Sequence, residues 1–326
     1  MAPSRPVAPR AVEVIPLIED MPYLLAADAI VRDHIRSAAV SYQRVFIARS
    51  DPALNYGSLA ATLLAMIALD RLDRLERDTG TPIYSIIGVG AVPFRGGFRP
   101  QTVARCLSTY PSVQTFTVQS AFKYDHPVEL VAAAIAEVKA TPRAAPLPVA
   151  DDAHVRELLE RSAARYRSEV RGLAPLVATL ARHVPRRRNR KLHIGLFGYS
   201  RSSGSVTLPR AIPFCASLYS IGLPPELLGL GALRKDDWAL LEEVAPCVHA
   251  EIGEALRYFD PEALTLVDPS IGESARVALD HAGLTGDADA RHREVARRLR
   301  ADLSQGDTHR AGDLVLRAAA QRGFLG

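Results

Sequence analysis

Cysteine, tryptophan, aromatic residues and an excess of either charge are all scarce in this sequence. Only three cysteines, Cys106, Cys215 and Cys247, occur in 326 residues. None shares a CxxC spacing with another, which argues against a disulfide framework or a cysteine zinc site and points to a reducing, cytoplasmic setting. Aromatics make up 6% of the chain against 48% hydrophobic residues overall. That balance disfavours an aromatic- and threonine-rich β-sandwich and favours an Ala/Leu/Val-rich helical or α/β protein. Lys and Arg exceed Asp and Glu by only four, too little to imply a nucleic-acid partner. The basic run Arg186-Arg187-Arg188-Asn189-Arg190-Lys191 lacks interleaved aromatics and reads as a solvated helix end, where cations suit the helix dipole. The longest apolar run, 59–69, is shorter than the roughly 20 residues of a membrane span, so no membrane partner is expected. Residues 1–10 carry Pro and Arg without the apolar stretch of a secretory signal.

What is present is an alternation of two patterns. Short, nearly continuous apolar runs at 13–18, 43–48, 83–88, 113–118 and 192–197 read as strands covered on both faces. Helical periodicity fills the intervals at 24–40, 58–78, 100–110 and 128–139, as expected of parallel βαβ units. A proline-rich stretch, 141–149, interrupts the series, and an amphipathic helix is predicted over 151–183. Helices are also predicted at 208–221, 236–258 and 291–300. The expected organisation is βα units over 1–140, a helical insertion over 141–190, and a last strand with a helical region over 191–326. Five strands are too few to close an eight-stranded barrel. The fold class expected is therefore α/β, a partial (β/α)8 TIM-type barrel with a large additional α-helical region.

In parallel α/β folds chemistry gathers where strands end. The first strand ends in Glu19-Asp20, the second in Arg49-Ser50-Asp51, and the third runs through Gly88-Val89-Gly90 to Arg95-Gly96-Gly97. The fourth ends in Gln119-Ser120-Ala121-Phe122-Lys123 and the fifth in Tyr199-Ser200-Arg201. Carboxylates on adjacent strands form a hard-oxygen site suited to Mg²⁺, which also takes phosphate or enolate oxygens. Arg and Lys around such a site match a polyanionic substrate. Glycines let the backbone approach an anion closely. Any one of these strand ends could instead be a helix cap or an ordinary turn; the coincidence of five carries the inference.

These strings resemble those of phosphoenolpyruvate carboxylase, most closely its short archaeal form. They run from Pro16-Leu17-Ile18-Glu19-Asp20 and Ala48-Arg49-Ser50-Asp51-Pro52 through residues 88–97 and 119–125. They continue with Leu196-Phe197-Gly198-Tyr199-Ser200-Arg201, Pro209-Arg210-Ala211-Ile212-Pro213 and Gly222-Leu223-Pro224-Pro225-Glu226-Leu227. The ordered matches span about residues 12–232. The resemblance implies that Glu19 and Asp51 hold Mg²⁺ or Mn²⁺, and that Arg95, followed by Gly96 and Gly97, steadies carboxyphosphate. It places Arg201, Ser200 and Arg210 near the substrate phosphate and the bicarbonate-derived group, and Gln119 and Lys123 at the same rim. Gly326 resembles a C-terminal glycine found near the family's active site.

The implied reaction joins phosphoenolpyruvate and bicarbonate into oxaloacetate and phosphate. Phosphoryl transfer to bicarbonate leaves carboxyphosphate and an enolate; carboxyphosphate breaks into CO₂ and phosphate; the enolate carbon attacks CO₂. There are departures from the larger bacterial and plant enzymes. Ile87-Gly88-Val89-Gly90-Ala91 lacks their His and Arg, as the archaeal form does, and Leu54 stands where they have Lys. A His-Pro motif from the family's amino-terminal portion is also missing, since His126-Pro127 lies in another context. The expectation is a carboxylase incomplete by itself, paired either as a homo-oligomer (a tetramer by family resemblance) or with a separate N-terminal half. Alternatives are a non-catalytic relic or assembly subunit retaining the metal and anion site, and another phosphoenolpyruvate- or pyruvate-using barrel lyase.

Overall fold

The computed structural model describes residues 13–38, 40–150, 153–185, 202–203, 206–282 and 288–326. Its sheet has four parallel strands in sequential order: β1 (Leu17–Ile18), β2 (Gln43–Ala48), β3 (Ile83–Gly88) and β4 (Thr115–Phe116). β2 and β3 pair along their whole length, from Gln43 opposite Ile83 to Ala48 opposite Gly88. β1 and β4 add two residue pairs each. The runs expected at 13–18 and 113–118 thus shorten to their last and central residues. Along β1, Val14, Ile15 and Leu17 are exposed at an edge that, among the described residues, pairs only with β2. The expected strand at 192–197 lies outside the described residues, as do Ser200 and Arg201.

Parallel neighbours need crossovers, and helices supply them. α1 (Met21–Leu24) and α2 (Ala27–Ala38) join β1 to β2, α3 (Ser50–Tyr56) and α4 (Ser58–Thr79) join β2 to β3, and α5 (Val103–Thr109) lies between β3 and β4. Every residue of α4 from Ser58 to Asp70 is buried. A helix apolar on all sides belongs in a core, and this is where the 59–69 run sits. Among the described residues no helix is long and apolar enough to cross a membrane.

The remainder is almost entirely helical. α6 (Val128–Ala140) and α7 (Ala153–Ala181) precede a short antiparallel ribbon, β5 (Ser202–Ser203) with β6 (Val206–Thr207). There follow α8 (Ala211–Ser220), α9 (Lys235–Val244), α10 (Cys247–Leu256), α11 (Pro269–Ala282), α12 (Ala290–Ser304) and α13 (Ala311–Arg322). α7 packs a stripe that includes Val155, Leu159, Tyr166 and Leu173 against α3, α4 and α8. The single helix expected over 236–258 divides at Pro246. Proline disfavours the helical region for the residue before it, and Ala245 accordingly leaves that region at φ −144°. After α13 the chain turns back: Phe324, Leu325 and Gly326 are buried. The molecule is an α/β protein, mostly helical, with a small parallel sheet.

Candidate functional site

The C-terminal edge of the sheet is organised by two buried arginines. Arg49, the residue after β2, has 0% exposure. Its Nη1 donates to Phe94 O (3.0 Å), and its Nη2 donates to Ser58 O (3.1 Å), Ser58 Oγ (3.2 Å) and Thr62 Oγ1 (2.7 Å). Glu251 on α10 lies 3.8 Å from the same Nη2. Burial pushes the Glu251 carboxyl up to about 7 against the pull of Arg49 and Arg105. Arg49 therefore ties β2, the start of α4, the loop after β3 and α10 to one another. It is framework: the buried guanidinium is tolerated because both of its Nη groups meet acceptors.

Arg95 is the second. It ends the 3₁₀ turn Pro93–Arg95 and is 6% exposed. Its Nε donates to Ser50 Oγ (3.0 Å), its Nη1 to the main-chain oxygen of Gly326 (3.0 Å) and its Nη2 to Gln119 Oε1 (2.8 Å). Gln119 in turn donates from Nε2 to Val89 O (2.9 Å). One guanidinium thus gathers the ends of β2, β3 and β4 with residue 326. Two glycines make this possible. A Cβ on Gly90 would stand 2.7 Å from Arg95 Cζ, filling the space the guanidinium occupies. Gly96 has φ +94°, open to glycine, and a Cβ there would meet Val89 Cγ1 at 2.7 Å. Gly97 follows with φ +61°.

The carboxylates lie one strand over. Glu19 follows β1 directly and Asp51 sits in the first turn of α3, after β2, so both occupy the same edge of neighbouring strands; both are half-buried. The two strand ends are fastened to each other by a hydrogen bond from the Tyr56 hydroxyl to Asp20 Oδ1. Burial and Asp20 together push the Tyr56 hydroxyl up to about 12. Among the described residues no group of three or more His, Cys, Asp or Glu is arranged to hold a metal ion. Two carboxylates are nonetheless the donor set Mg²⁺ accepts when water and substrate oxygens complete its shell, so these residues fit a shared cation rather than an all-protein cage.

The other expected residues stand further out. Lys123 is exposed on the π-helical turn Ala121–Asp125. Arg210 is the exposed residue before α8. It stands two residues from Ile212, whose carbonyl lies 2.4 Å from where a Cβ on Gly326 would be, so the start of α8 and residue 326 are in close contact. Neither Lys123 nor Arg210 takes part in the hydrogen bonds around Arg95. Ser50 and Glu226 join the cluster although sequence reasoning gave them no role. Ser50 stood inside the rim string, masked by its neighbour Asp51. Glu226 offered a signal: it is the sole charge in an apolar, proline- and glycine-bearing stretch, 221–230, where an unneeded carboxylate is costly. The three cysteines are free and buried, and burial pushes the Cys247 thiol up to about 12.

A model of the phosphoenolpyruvate carboxylase family matches residues 4–326. The chain is 44% identical over 321 residues to a phosphoenolpyruvate carboxylase of Methanospirillum hungatei, covering 98% of this chain and 65% of that one. It is 41% identical over 318 residues to that of Halobacterium salinarum and 42% identical over 318 residues to that of Pyrococcus horikoshii, covering 98% of this chain and 64% of each. It therefore spans slightly less than two thirds of the length of these curated relatives. By the extent of these matches the chain belongs to the phosphoenolpyruvate carboxylase family.

Proposed function

We propose that the chain is the part of a phosphoenolpyruvate carboxylase that binds substrate and a divalent cation, in an enzyme that forms oxaloacetate and phosphate from phosphoenolpyruvate and bicarbonate. The observation carrying this reading is Arg95, buried at the strand ends and fixed by Ser50, Gln119 and residue 326. An arginine held this rigidly presents its charge without reorganising, which is what stabilising a developing oxyanion requires. In this reading Arg95 steadies carboxyphosphate, Gly96 and Gly97 let the anion approach the backbone, and Gln119 keeps the guanidinium aimed. Arg210, with Ser200, Arg201 and Lys123, takes the phosphate and bicarbonate-derived oxygens.

Glu19 and Asp51 would hold Mg²⁺ or Mn²⁺. Such an ion supplies Lewis-acid stabilisation of the charge that develops on the enolate oxygen. The chain's own residues neutralise the phosphate and exclude water, so that the enolate carbon meets CO₂ rather than a proton.

Sequential parallel strands, each leading into a helix, support a partial (β/α)8 barrel. Its completion by further strands, from a longer or separate polypeptide, is supported by the outer edge of β1, which pairs with no other strand among the described residues, and by the exposed Val14, Ile15 and Leu17 beside it. Self-association is the other way to cover such an edge. Buried free thiols suit a cytoplasmic setting.

The test combines this chain with a separately produced fragment covering the part of the Methanospirillum relative that it does not match. With Mg²⁺, phosphoenolpyruvate and bicarbonate, phosphate and oxaloacetate should form in equal amounts, and Arg95→Gln should lower that rate at least about a hundredfold. Phosphate release that ignores bicarbonate, or full activity in Arg95→Gln, would overturn the reading.

A further inference from the structure

The turn that carries Arg95 is gripped at one residue, Phe94, by two buried charged groups from distant parts of the chain. Phe94 O accepts from Arg49 Nη1 (3.0 Å), and Phe94 N donates to Glu226 Oε1 (2.6 Å) across 132 residues of sequence. Glu226 is 2% exposed. It sits on the 3₁₀ turn Pro225–Leu227, which packs on Pro93–Arg95 and on α4, α8, α10 and α11. The N–H lies in the peptide that enters Phe94 and the carbonyl in the peptide that leaves it, so the two bonds fix the main chain on both sides of Phe94 and with it the direction in which the next residue, Arg95, leaves the backbone. We propose that Glu226 is a positioning residue for Arg95, its carboxyl group locking the main chain at Phe94 so that the guanidinium stays aimed at the anion. This rests on the reading of the strand-end rim as an anion site.

Several observations separate this from ordinary packing. A leucine or methionine would fill the same apolar surroundings without the desolvation a carboxyl group suffers. Burial pushes Glu226 up to about 8, opposed by main-chain N–H groups, including that of Phe94, and by the Tyr219 hydroxyl. The titratable groups interacting with it come from three helices: Cys215 and Tyr219 on α8, Glu251 on α10 and Arg322 on α13. The group therefore changes charge near neutrality, close to a site that receives an anion. As pH rises and Glu226 ionises, the added negative charge opposes that anion. A glutamine would keep the acceptor and abolish the charge change.

The probe is oxalate, a planar dianion whose two carboxylates stay ionised above neutrality, titrated calorimetrically at saturating Mg²⁺ between pH 6.5 and 9. Wild-type affinity should fall across this range, Glu226→Gln should fall clearly less, keeping only the part due to Glu251, and Glu226→Ala should be weakened about tenfold at the low end of the range. Coinciding pH profiles for wild type and Glu226→Gln would overturn the proposal. Hydrogen exchange of residues 92–98 at one pH provides the second readout. It should quicken in Glu226→Ala and remain slow in Glu226→Gln, and unchanged exchange in Glu226→Ala refutes the lock. Failure of wild type to bind oxalate at all would sink the anion-site reading instead, with the exchange result still deciding the lock.

Discussion

The segment that carries Glu226 is fastened at its far end by another buried carboxylate, and removing that one should cost stability alone. Glu169 on α7 is 2% exposed. It accepts from Arg165 Nε (2.7 Å), Ser274 Oγ (2.6 Å) and Gly229 N (2.7 Å), so it joins α7 to α11 and to the turn after Glu226. Burial raises its carboxyl and these three donors offset that cost. Glu169→Ala leaves two of the donors, Gly229 N–H and the Ser274 hydroxyl, in a buried setting without an acceptor, while Arg165 stays partly solvated. Removing one partner of a buried charged network typically costs about 3–5 kcal/mol. With an unfolding entropy near 2.1 cal/mol/K per residue, 326 residues give about 0.7 kcal/mol/K, so a loss of about 4 kcal/mol lowers Tm by roughly 6 °C for one cooperative transition. Glu169→Gln retains acceptor oxygen and should lose about half as much. Thermal melts followed by the fluorescence of Trp238, buried against His249 and His281, provide the readout. A Tm for Glu169→Ala within about 1 °C of wild type would refute the reasoning. So would a change in its oxalate pH profile, because the hydrogen bonds at the Phe94 main chain are made by Arg49 and Glu226 and not by Glu169.

Two further outcomes are expected. Asp51→Ala should weaken Mn²⁺ binding by at least about tenfold in a calorimetric titration, and unchanged affinity would remove Asp51 from the cation site. His292, buried on α12, accepts from Arg322 Nη1 (2.9 Å) and so must be neutral at Nε2, with its proton on Nδ1, because arginine can only donate. Burial, then Arg322, lowers it to about 3. A folded-state value below the unfolded one of about 6.5 means that its contribution, at most about 5 kcal/mol, is present above pH 6.5 and lost as pH falls towards 3. His292→Gln should flatten the acid limb of a Tm-against-pH curve, and an identical limb would count against the assignment.

How much of this could be read in the sequence depended on the range of the interaction. β2 and β3, flanked on both sides by strands and covered by α4, matched the apolar runs at 43–48 and 83–88 residue for residue. β1 and β4 did not, because at an edge the same apolar residues find a partner for only part of their length. Pro246 broke a helix that periodicity alone made continuous. The rim motifs were legible because each lies within a few residues of its strand end. Their wiring was not. The bonds from Arg95 to Ser50, Gln119 and Gly326 span 45, 24 and 231 residues, and no local pattern encodes a closure of that kind.

The wiring also explains why so many charges are buried around one small sheet. Arg49 and Glu226 hold the main chain on either side of a single residue, Phe94, and Glu251 and the Ser58 and Thr62 oxygens balance Arg49 in turn. Apolar residues in the same places would pack as well, and buried ion pairs are often no more stabilising than such packing. What charged and hydrogen-bonded groups supply is direction: a donor fixes the line along which its acceptor lies, whereas dispersion contacts leave a turn free to settle in several nearly equivalent ways. A site that must point one guanidinium at one oxygen needs the former. On this view the buried polar atoms concentrate around the Pro93–Arg95 turn because aim, more than stability, is what that turn contributes. Charge-neutral substitutions at Glu226 should accordingly leave the fold intact while altering how the anion is met.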